Sequence, residues 1–265
     1  MGIDEDALER LMMLRSHKKK AVCALTLAPY IVTFIKNKIR GNNMFFQSTE
    51  QHDSTPAAGT MKKSTLSSVF TTLFAALICA GCFISVPLPG LVPISIQNMF
   101  AILSGVLLGG IQGAASVGIF LVLGVLGIPV FSGMSKGIAV LAGPTGGFLV
   151  GYFLGALFAG LVAGRPRVSE KKPSVASVLR IICATLVGYI FNYLPGIPWF
   201  MRVMTARGKE GVDLSYALKA CLIPFIPGDS IKIVVTILLA LALRPTVARY
   251  LNPENENRIL EQDTL

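Results

Sequence analysis

One long stretch of the sequence is almost free of charge. From Ser64 to Val162 the chain carries a single charged side chain, Lys136. Soluble domains need charged surface to face water, and about 25% of their residues are charged, whereas this chain has 14%. An apolar run of about 20 residues is long enough to cross a bilayer as a helix. The sequence therefore predicts an integral membrane protein and excludes an ordinary soluble domain.

Six apolar runs are candidates for transmembrane helices. They cover approximately residues 66–86, 93–109, 111–128, 143–163, 176–195 and 222–243. Small residues spaced four apart, such as Gly147, Gly151 and Gly155, let helices approach closely in lipid. We expect an all-α fold, a compact bundle of six transmembrane helices.

Basic residues beside the spans predict how the bundle is oriented, because Lys and Arg concentrate in cytoplasmic loops. They occur before the first span, between the fourth and fifth spans, and after the sixth, at Lys62, Lys63, Arg165, Arg167, Lys171, Lys172, Arg244 and Arg249. These three places fall on the same side of a six-helix bundle. We therefore expect cytoplasmic termini and an external position for the loop with Lys136 and for the connection at 196–221.

Composition divides the chain into three parts. Residues 1–60 form an N-terminal extension, residues 61–245 the six-helix domain, and residues 246–265 a polar tail. The extension contains an apolar run at 21–35, which at about 1.5 Å per residue is shorter than a hydrocarbon core of about 30 Å. We interpret this run as a signal-like or interfacial segment, as a strained seventh helix, or as sequence upstream of a translation start at Met61.

Residues for enzyme chemistry are scarce. Both histidines, His17 and His52, lie outside the six spans, and the sequence has neither an H-E-x-x-H metal motif nor a G-x-x-x-x-G-K-S/T phosphate loop. Cys79 and Cys82 have no histidine or acid nearby, and we interpret them as small buried residues. The net charge of +10 lies beside the spans and not on one continuous face, which argues against a nucleic-acid partner. We predict no catalytic residue, no metal and no cofactor, so any use of ATP requires another subunit.

One acid and one base lie near bilayer depth in the last span. Asp229 and Lys232 follow Pro227 and Gly228, and their i, i+3 spacing places them on one helix face. Each costs about 3 kcal/mol at the centre of a membrane helix, so such residues generally mark a functional site. We expect Asp229 at or near the helix N-cap. The pair then either meets a polar, anionic solute through an ammonium donor and a carboxylate acceptor, or is a structural cap with a neighbouring salt bridge.

Four short motifs, in this order, resemble the BioY family. They are PISIQ at 93–97, GIPVF at 127–131, GPTGGF at 143–148, and PFIPGD at 224–229 with Lys232 three residues further on. BioY proteins are the biotin-binding membrane components, or S-components, of energy-coupling factor (ECF) transporters. The resemblance covers roughly residues 61–245 and implies a six-helix S-component with cytoplasmic termini, in the plasma membrane.

The resemblance also implies a function and a site. It implies a protein that captures biotin outside the cell and translocates it, energised by two ATPase subunits through a transmembrane coupling subunit. The candidate substrate-binding residues are Asp229, Lys232, Gln97, Thr145, Phe131, Asn192 and Lys136. Ala76 and Ala80 match the Ala-x-x-x-Ala spacing with which S-components contact the coupling subunit. The alternatives are an S-component for another vitamin and, from a different class, a membrane-embedded enzyme or assembly factor.

Overall fold

The computed structural model describes residues 63–86, 94–164 and 174–251. All of them belong to one compact unit, Met61–Leu265. The predictions for residues 1–60, for the basic residues between 165 and 172, and for residues 252–265 of the tail lie outside the described residues.

Eight α-helices make up most of the described chain. They are α1 (Lys63–Ala80), α2 (Gln97–Leu108), α3 (Gly110–Val125), α4 (Ile138–Leu141), α5 (Gly146–Ala163), α6 (Val175–Ala206), α7 (Leu214–Cys221) and α8 (Ile226–Leu251). Short 3-10 helices cover Gly81–Phe83, Ser132–Met134 and Ile223–Phe225. Two-residue strands β1 (Ser85–Val86) and β2 (Ile94–Ser95) pair antiparallel, with Ser85 opposite Ser95. The six predicted spans correspond to α1, α2, α3, α5, α6 and α8, which confirms the helical membrane fold.

The helices differ in whether they are long enough to cross a membrane. Within the described ranges, four segments are both long and apolar enough: Thr65–Phe83, Gly146–Ala163, Val175–Ala206 and Leu214–Tyr250. The apolar helices α2 and α3 have 12 and 16 residues, or about 18 and 24 Å at 1.5 Å per residue. Eleven of the 12 residues of α2 are buried by the rest of the protein. Its length is therefore matched to protein neighbours and not to lipid.

The core of the bundle is built around α2. This helix contacts α1, α3, α5, α6 and α8, and its Ile102, Val106 and Leu107 belong to the main cluster of buried apolar side chains. The turn from α2 to α3 is made at Gly109, whose φ of 94° lies in the left-handed region that glycine adopts without steric cost. The turn occurs where the sequence predicts it.

A row of glycines brings α5 and α6 into close contact. A methyl group added at Gly151 would overlap the backbone carbonyl of Asn192, and one at Gly155 would lie 2.7 Å from the carbonyl oxygen of Gly188. Gly147 approaches Trp199 in the same way. Such backbone approach is how small residues support helix association in lipid, so the packing role predicted for this row is confirmed.

Helix α6 extends beyond its predicted end. The sequence predicts a span that ends at 195, but the helix continues through Pro195 and Pro198 to Ala206. A proline removes a backbone hydrogen bond and crowds the preceding turn, yet membrane helices tolerate it when neighbours supply other contacts. Here the indole N–H of Trp199 donates to the Gly143 carbonyl at 3.0 Å. This hydrogen bond joins the helical turn that follows the prolines to the segment just before α5.

The C-terminal end of α5 lies beside Arg244 of α8, two places that the basic residues predict on the same side of the bundle. The Arg244 guanidinium donates to the Ala163 carbonyl and, at 2.9 Å, to the Gly164 carbonyl. These are terminal helix carbonyls without an intrahelical partner, so a basic side chain stabilises them. Helix α8 also runs past its predicted end at 243, through Pro245 to Leu251.

Candidate functional site

Asp229 and Lys232 form an ion pair inside the protein. Lys232 Nζ lies 3.0 Å from Asp229 Oδ1, and the two side chains are 12% and 8% exposed. The same ammonium group donates to the Ser95 carbonyl at 2.8 Å and to Asn98 Oδ1 at 3.3 Å. The Tyr193 hydroxyl donates to the second oxygen of the Asp229 carboxylate. Both charges are therefore hydrogen-bonded as well as paired, which a buried ion pair needs in order to be tolerated.

Asp229 lies near the helix N-cap, as expected, but it is not the capping residue. Helix α8 begins at Ile226, and Asp229 lies in its first turn, not before it. The 3-10 helix Ile223–Phe225 leads directly into α8. Pro227 is tolerated in the first turn of α8 because a backbone N–H at that place would have no partner within the helix. The carboxylate is consequently directed at side chains, and it joins α8 to Tyr193 on α6.

Two buried polar atoms on α6, the helix that carries Tyr193, have no hydrogen-bond partner among the described residues. They are Tyr189 Oη and Asn192 Oδ1, on residues that are 5% and 3% exposed. Tyr189 is close enough to Asp229 to interact with it electrostatically. Leaving a buried polar group unpaired costs about 1–3 kcal/mol. Asn192, a predicted site residue, therefore has an acceptor available to a polar ligand.

Gln97 is fully engaged within the protein. Its amide N–H groups donate to the Ile78 carbonyl at 3.0 Å and to the Val130 carbonyl at 2.7 Å, and its carbonyl accepts from Ser95 Oγ at 3.3 Å. The residue is fully buried. A glutamine side chain has two N–H donors, and both are used. The geometry makes Gln97 a connection between the end of α1, the start of α2 and the loop before α4.

A cavity of about 350 Å³ opens beside α5. This volume lies within the range of small-molecule sites, which is roughly 300–1,000 Å³. The cavity is lined by Phe131, Ser132, Ser135, Ala139, Val140, Gly143, Pro144, Thr145, Phe148, Leu149, Tyr152 and Arg207. Its walls are mostly apolar, with hydroxyl groups and one charged side chain.

Two local features shape this cavity, the start of α5 and a close contact between two aromatic rings. Thr145 occupies the N-cap position of α5 and lines the cavity. Phe131 is fully buried and packs edge-to-face on Phe120, with ring centroids 5.4 Å apart. Gly124 allows this packing because any side chain there would overlap the Phe131 ring.

Aromatic residues separate the cavity from the ion pair. Phe148 lines the cavity and packs edge-to-face on Tyr193, with centroids 5.9 Å apart. Tyr193 is the residue that donates to Asp229. Tyr152 also lines the cavity and lies close enough to Asp229 to interact with it electrostatically. The cavity and the polar cluster are thus two neighbouring parts of one region of the bundle.

The structure brings together some of the predicted site residues and not others. Phe131 and Thr145 line the cavity, whereas Asp229 and Lys232 form the polar cluster behind its aromatic wall. Asn192 is buried on α6, next in sequence to Tyr193, which donates to Asp229. Lys136 is exposed on the loop before α4 and does not line the cavity.

Arg207 is a cavity residue that the sequence analysis missed. It is one of four basic residues in the connection at 196–221, which was predicted to be external, and nothing in the sequence sets it apart from Arg202, Lys209 and Lys219. Because α6 was expected to end at 195, nothing in the sequence related Arg207 to the GPTGGF motif.

Ala76 and Ala80 lie on an outer part of α1. Ala80 is exposed and Ala76 half-buried. Next to them Leu73 is 51% exposed and Leu77 36%. This face is apolar, accessible, and flat at the two alanines.

Comparison with known proteins gives one consistent result. The BioY family profile matches residues 53–249. A biotin transporter BioY from Rhodobacter capsulatus is 40% identical over 181 residues, covering 67% of this chain and 90% of that protein. A biotin transporter BioY from Thermotoga maritima is 38% identical over 172 residues, covering 65% and 92%. A 2.1 Å crystal structure of the S-component for biotin from an ECF-type ABC transporter superposes with a TM-score of 0.57 at 28% identity, covering 71% of this chain and 95% of that one.

Proposed function

The chain belongs to the BioY family, and from this premise we propose that it is the biotin-capturing S-component of an ECF transporter. One observation carries the proposal beyond family membership. The Asp229–Lys232 pair lies inside the helical bundle, where charge is expensive and generally serves transport or binding. It lies behind the wall of an apolar cavity of suitable volume.

The polar cluster matches the ureido group of biotin. This group offers two N–H donors and one carbonyl acceptor. The Asp229 carboxylate and the unpaired Asn192 Oδ1 accept hydrogen bonds, and the Tyr189 hydroxyl donates one. The Lys232 ammonium donates to the ligand by exchanging one of its present partners, Ser95 or Asn98, because all three of its N–H groups are engaged. Charge-assisted hydrogen bonds are about twice as strong as neutral ones. The pair therefore supplies most of the polar recognition.

The cavity matches the remainder of the molecule. The fused ring and the aliphatic chain of biotin are apolar, and small-molecule sites are mostly apolar with few polar anchors. Phe131, Phe148 and Leu149 provide such a surface, and Thr145 adds a hydroxyl. For the ureido group to reach Asp229 from the cavity, Phe148 and Tyr193 have to move aside, because they lie between the two. Gln97 supports the site from behind, and Lys136 lies on the loop outside it.

Energy for transport comes from partner subunits. The sequence has no phosphate loop of its own, so two ATPase subunits act through a transmembrane coupling subunit. That subunit docks on the α1 face at Ala76 and Ala80, where small side chains let a partner helix approach closely. The protein spans the plasma membrane several times with cytoplasmic termini, and it needs no cofactor because biotin is the cargo.

An uptake assay tests the transport proposal. Bacterial cells without their own biotin transporter express this chain together with an energy-coupling module from a BioY-using host, and they receive radiolabelled biotin or thiamine. We expect accumulation of biotin, not thiamine, and its loss when the ATPase subunits carry a disabled phosphate loop. Accumulation of thiamine in place of biotin would contradict the proposed substrate.

A further inference from the structure

Arg207 is the one charged side chain among the residues that line the cavity. The other lining residues are apolar or carry hydroxyl groups. A hydroxyl group can donate one hydrogen bond but cannot neutralise an anion, whereas an Arg guanidinium offers five N–H donors and a permanent charge. Any anionic part of a ligand in this cavity therefore has a single cation on the wall to meet it.

The backbone at Arg207 is held firmly by the end of α6. Arg207 is the C-cap residue of this helix, and its N–H bonds to the Val203 and Met204 carbonyls at 3.1 and 3.2 Å. Gly208 follows with a φ of 78°, a left-handed conformation that turns the chain away from the helix. Because α6 extends past Pro198, Arg207 reaches the cavity, and the helix end fixes the position of its backbone there.

The two acids nearest to Arg207 in the sequence form no ion pair with it in the described structure. Asp213 is the N-cap of α7, and its carboxylate accepts from the Tyr216 backbone N–H at 2.7 Å. Glu210 is exposed. Among the residues that the structure describes, Arg207 takes part in no ion pair; the pair formed there is Asp229 with Lys232. The guanidinium therefore keeps its donors for a ligand.

We propose that Arg207 binds the carboxylate of the ligand and thereby fixes the direction in which the ligand enters. This inference rests on the proposed function. The two polar ends of the site differ in kind, because the inner one is the Asp229–Lys232 cluster and the outer one is an exposed guanidinium. A molecule with a neutral hydrogen-bonding ring at one end and a carboxylate at the other is accommodated ring first. Asp229 would repel a carboxylate, and Arg207 attracts it through a bidentate contact.

The test compares biotin with its neutral methyl ester. Affinities of both are measured by equilibrium titration of the purified, full-length protein, for wild type and for Arg207→Gln. We expect wild type to bind the acid roughly tenfold more tightly than the ester, as one charge-assisted contact at an exposed position allows. Arg207→Gln should bind the two ligands equally, with its affinity for the ester unchanged. Arg207→Lys should retain part of the preference, since it keeps the charge but loses the planar fork.

Two matched variants make the result specific. Arg202→Gln removes an exposed charge from the same helix outside the cavity, and Lys136→Gln removes the other cation near the motif loop. Both should keep the preference for the acid. Persistence of that preference in Arg207→Gln, or its loss in Lys136→Gln, would overturn the assignment. Failure of wild type to bind either ligand would instead reject the proposed function itself.

Discussion

The ammonium nitrogen of Lys232 lies 3.0 Å from an oxygen of the Asp229 carboxylate, one turn earlier on α8. This pair connects three parts of the bundle, because Lys232 also binds the Ser95 carbonyl before α2 and Asp229 accepts from Tyr193 on α6. A purely structural salt bridge inside a protein is often no more stabilising than apolar packing. The position of the Asp229–Lys232 pair behind the cavity wall favours a role in ligand binding.

Removing either charge should abolish tight binding of biotin. We expect Asp229→Asn and Lys232→Ala each to lower affinity by about 10- to 150-fold, since a hydrogen bond to a charged group contributes about 1.5–3 kcal/mol. Titration calorimetry of the purified variants measures this. Ser230→Ala is the matched control, because Ser230 is exposed and bonds only to its own helix at Ile226. Unchanged affinity in a folded Asp229→Asn protein would exclude the pair from the site.

Bulk at the docking face should separate binding from transport. We expect Ala76→Trp to bind biotin normally but to fail in uptake, because the large side chain prevents close approach of a partner helix. Ala115→Trp is the control, since Ala115 is an exposed alanine on α3, away from this face. Co-purification with the coupling subunit distinguishes the two variants. Normal assembly of Ala76→Trp would show that the partner docks elsewhere.

Gln97 should be important for stability. Its amide binds two buried carbonyls, those of Ile78 and Val130, and each carbonyl left unpaired costs about 1–3 kcal/mol. We expect Gln97→Ala to lower the free energy of unfolding by about 2–4 kcal/mol, seen as a clear fall in Tm in detergent. Gln112→Ala, on the half-buried part of α3, should change Tm little. Equal Tm values for both variants would contradict the assigned role.

The glycine row should not tolerate even one methyl group. At Gly151 a methyl group meets the backbone of Asn192, which cannot move aside, whereas at Gly118 the nearest atom is Phe153 Cε2 at an ordinary 3.8 Å. We expect Gly151→Ala to reduce the yield of folded protein and Gly118→Ala to be neutral. Size-exclusion chromatography after extraction reads out both. Wild-type behaviour of Gly151→Ala would mean that α5 and α6 pack less closely than described.

The parts of this protein that sequence could predict are those encoded locally. An apolar run of sufficient length must be a membrane helix in a chain so poor in charge, so the six spans could be located without the structure. The span predicted at 143–163 likewise agrees with α5, Gly146–Ala163. Asp229 and Lys232 were recognisable because charge is rare at that depth.

The errors concern contacts between distant residues. Pro195 and Pro198 locally favour the end of a helix, whereas contacts with distant residues support the continuation of α6: Trp199 donates to Gly143, and Phe200 and Met204 pack in a buried cluster with Phe148. That extension in turn decides whether Arg207 reaches the cavity. The contacts of Gln97 were equally inaccessible to sequence, because its hydrogen-bond partners lie 19 and 33 residues away along the chain and no spacing rule connects them.

Equilibrium binding of labelled biotin to the purified protein tests the central claim most directly. Unlabelled biotin, thiamine and riboflavin serve as competitors, and chromatography confirms that the sample is folded. We predict saturable binding that only unlabelled biotin displaces. Folded protein that binds no biotin, or binding that thiamine or riboflavin displaces equally well, would contradict the assignment of biotin as the ligand.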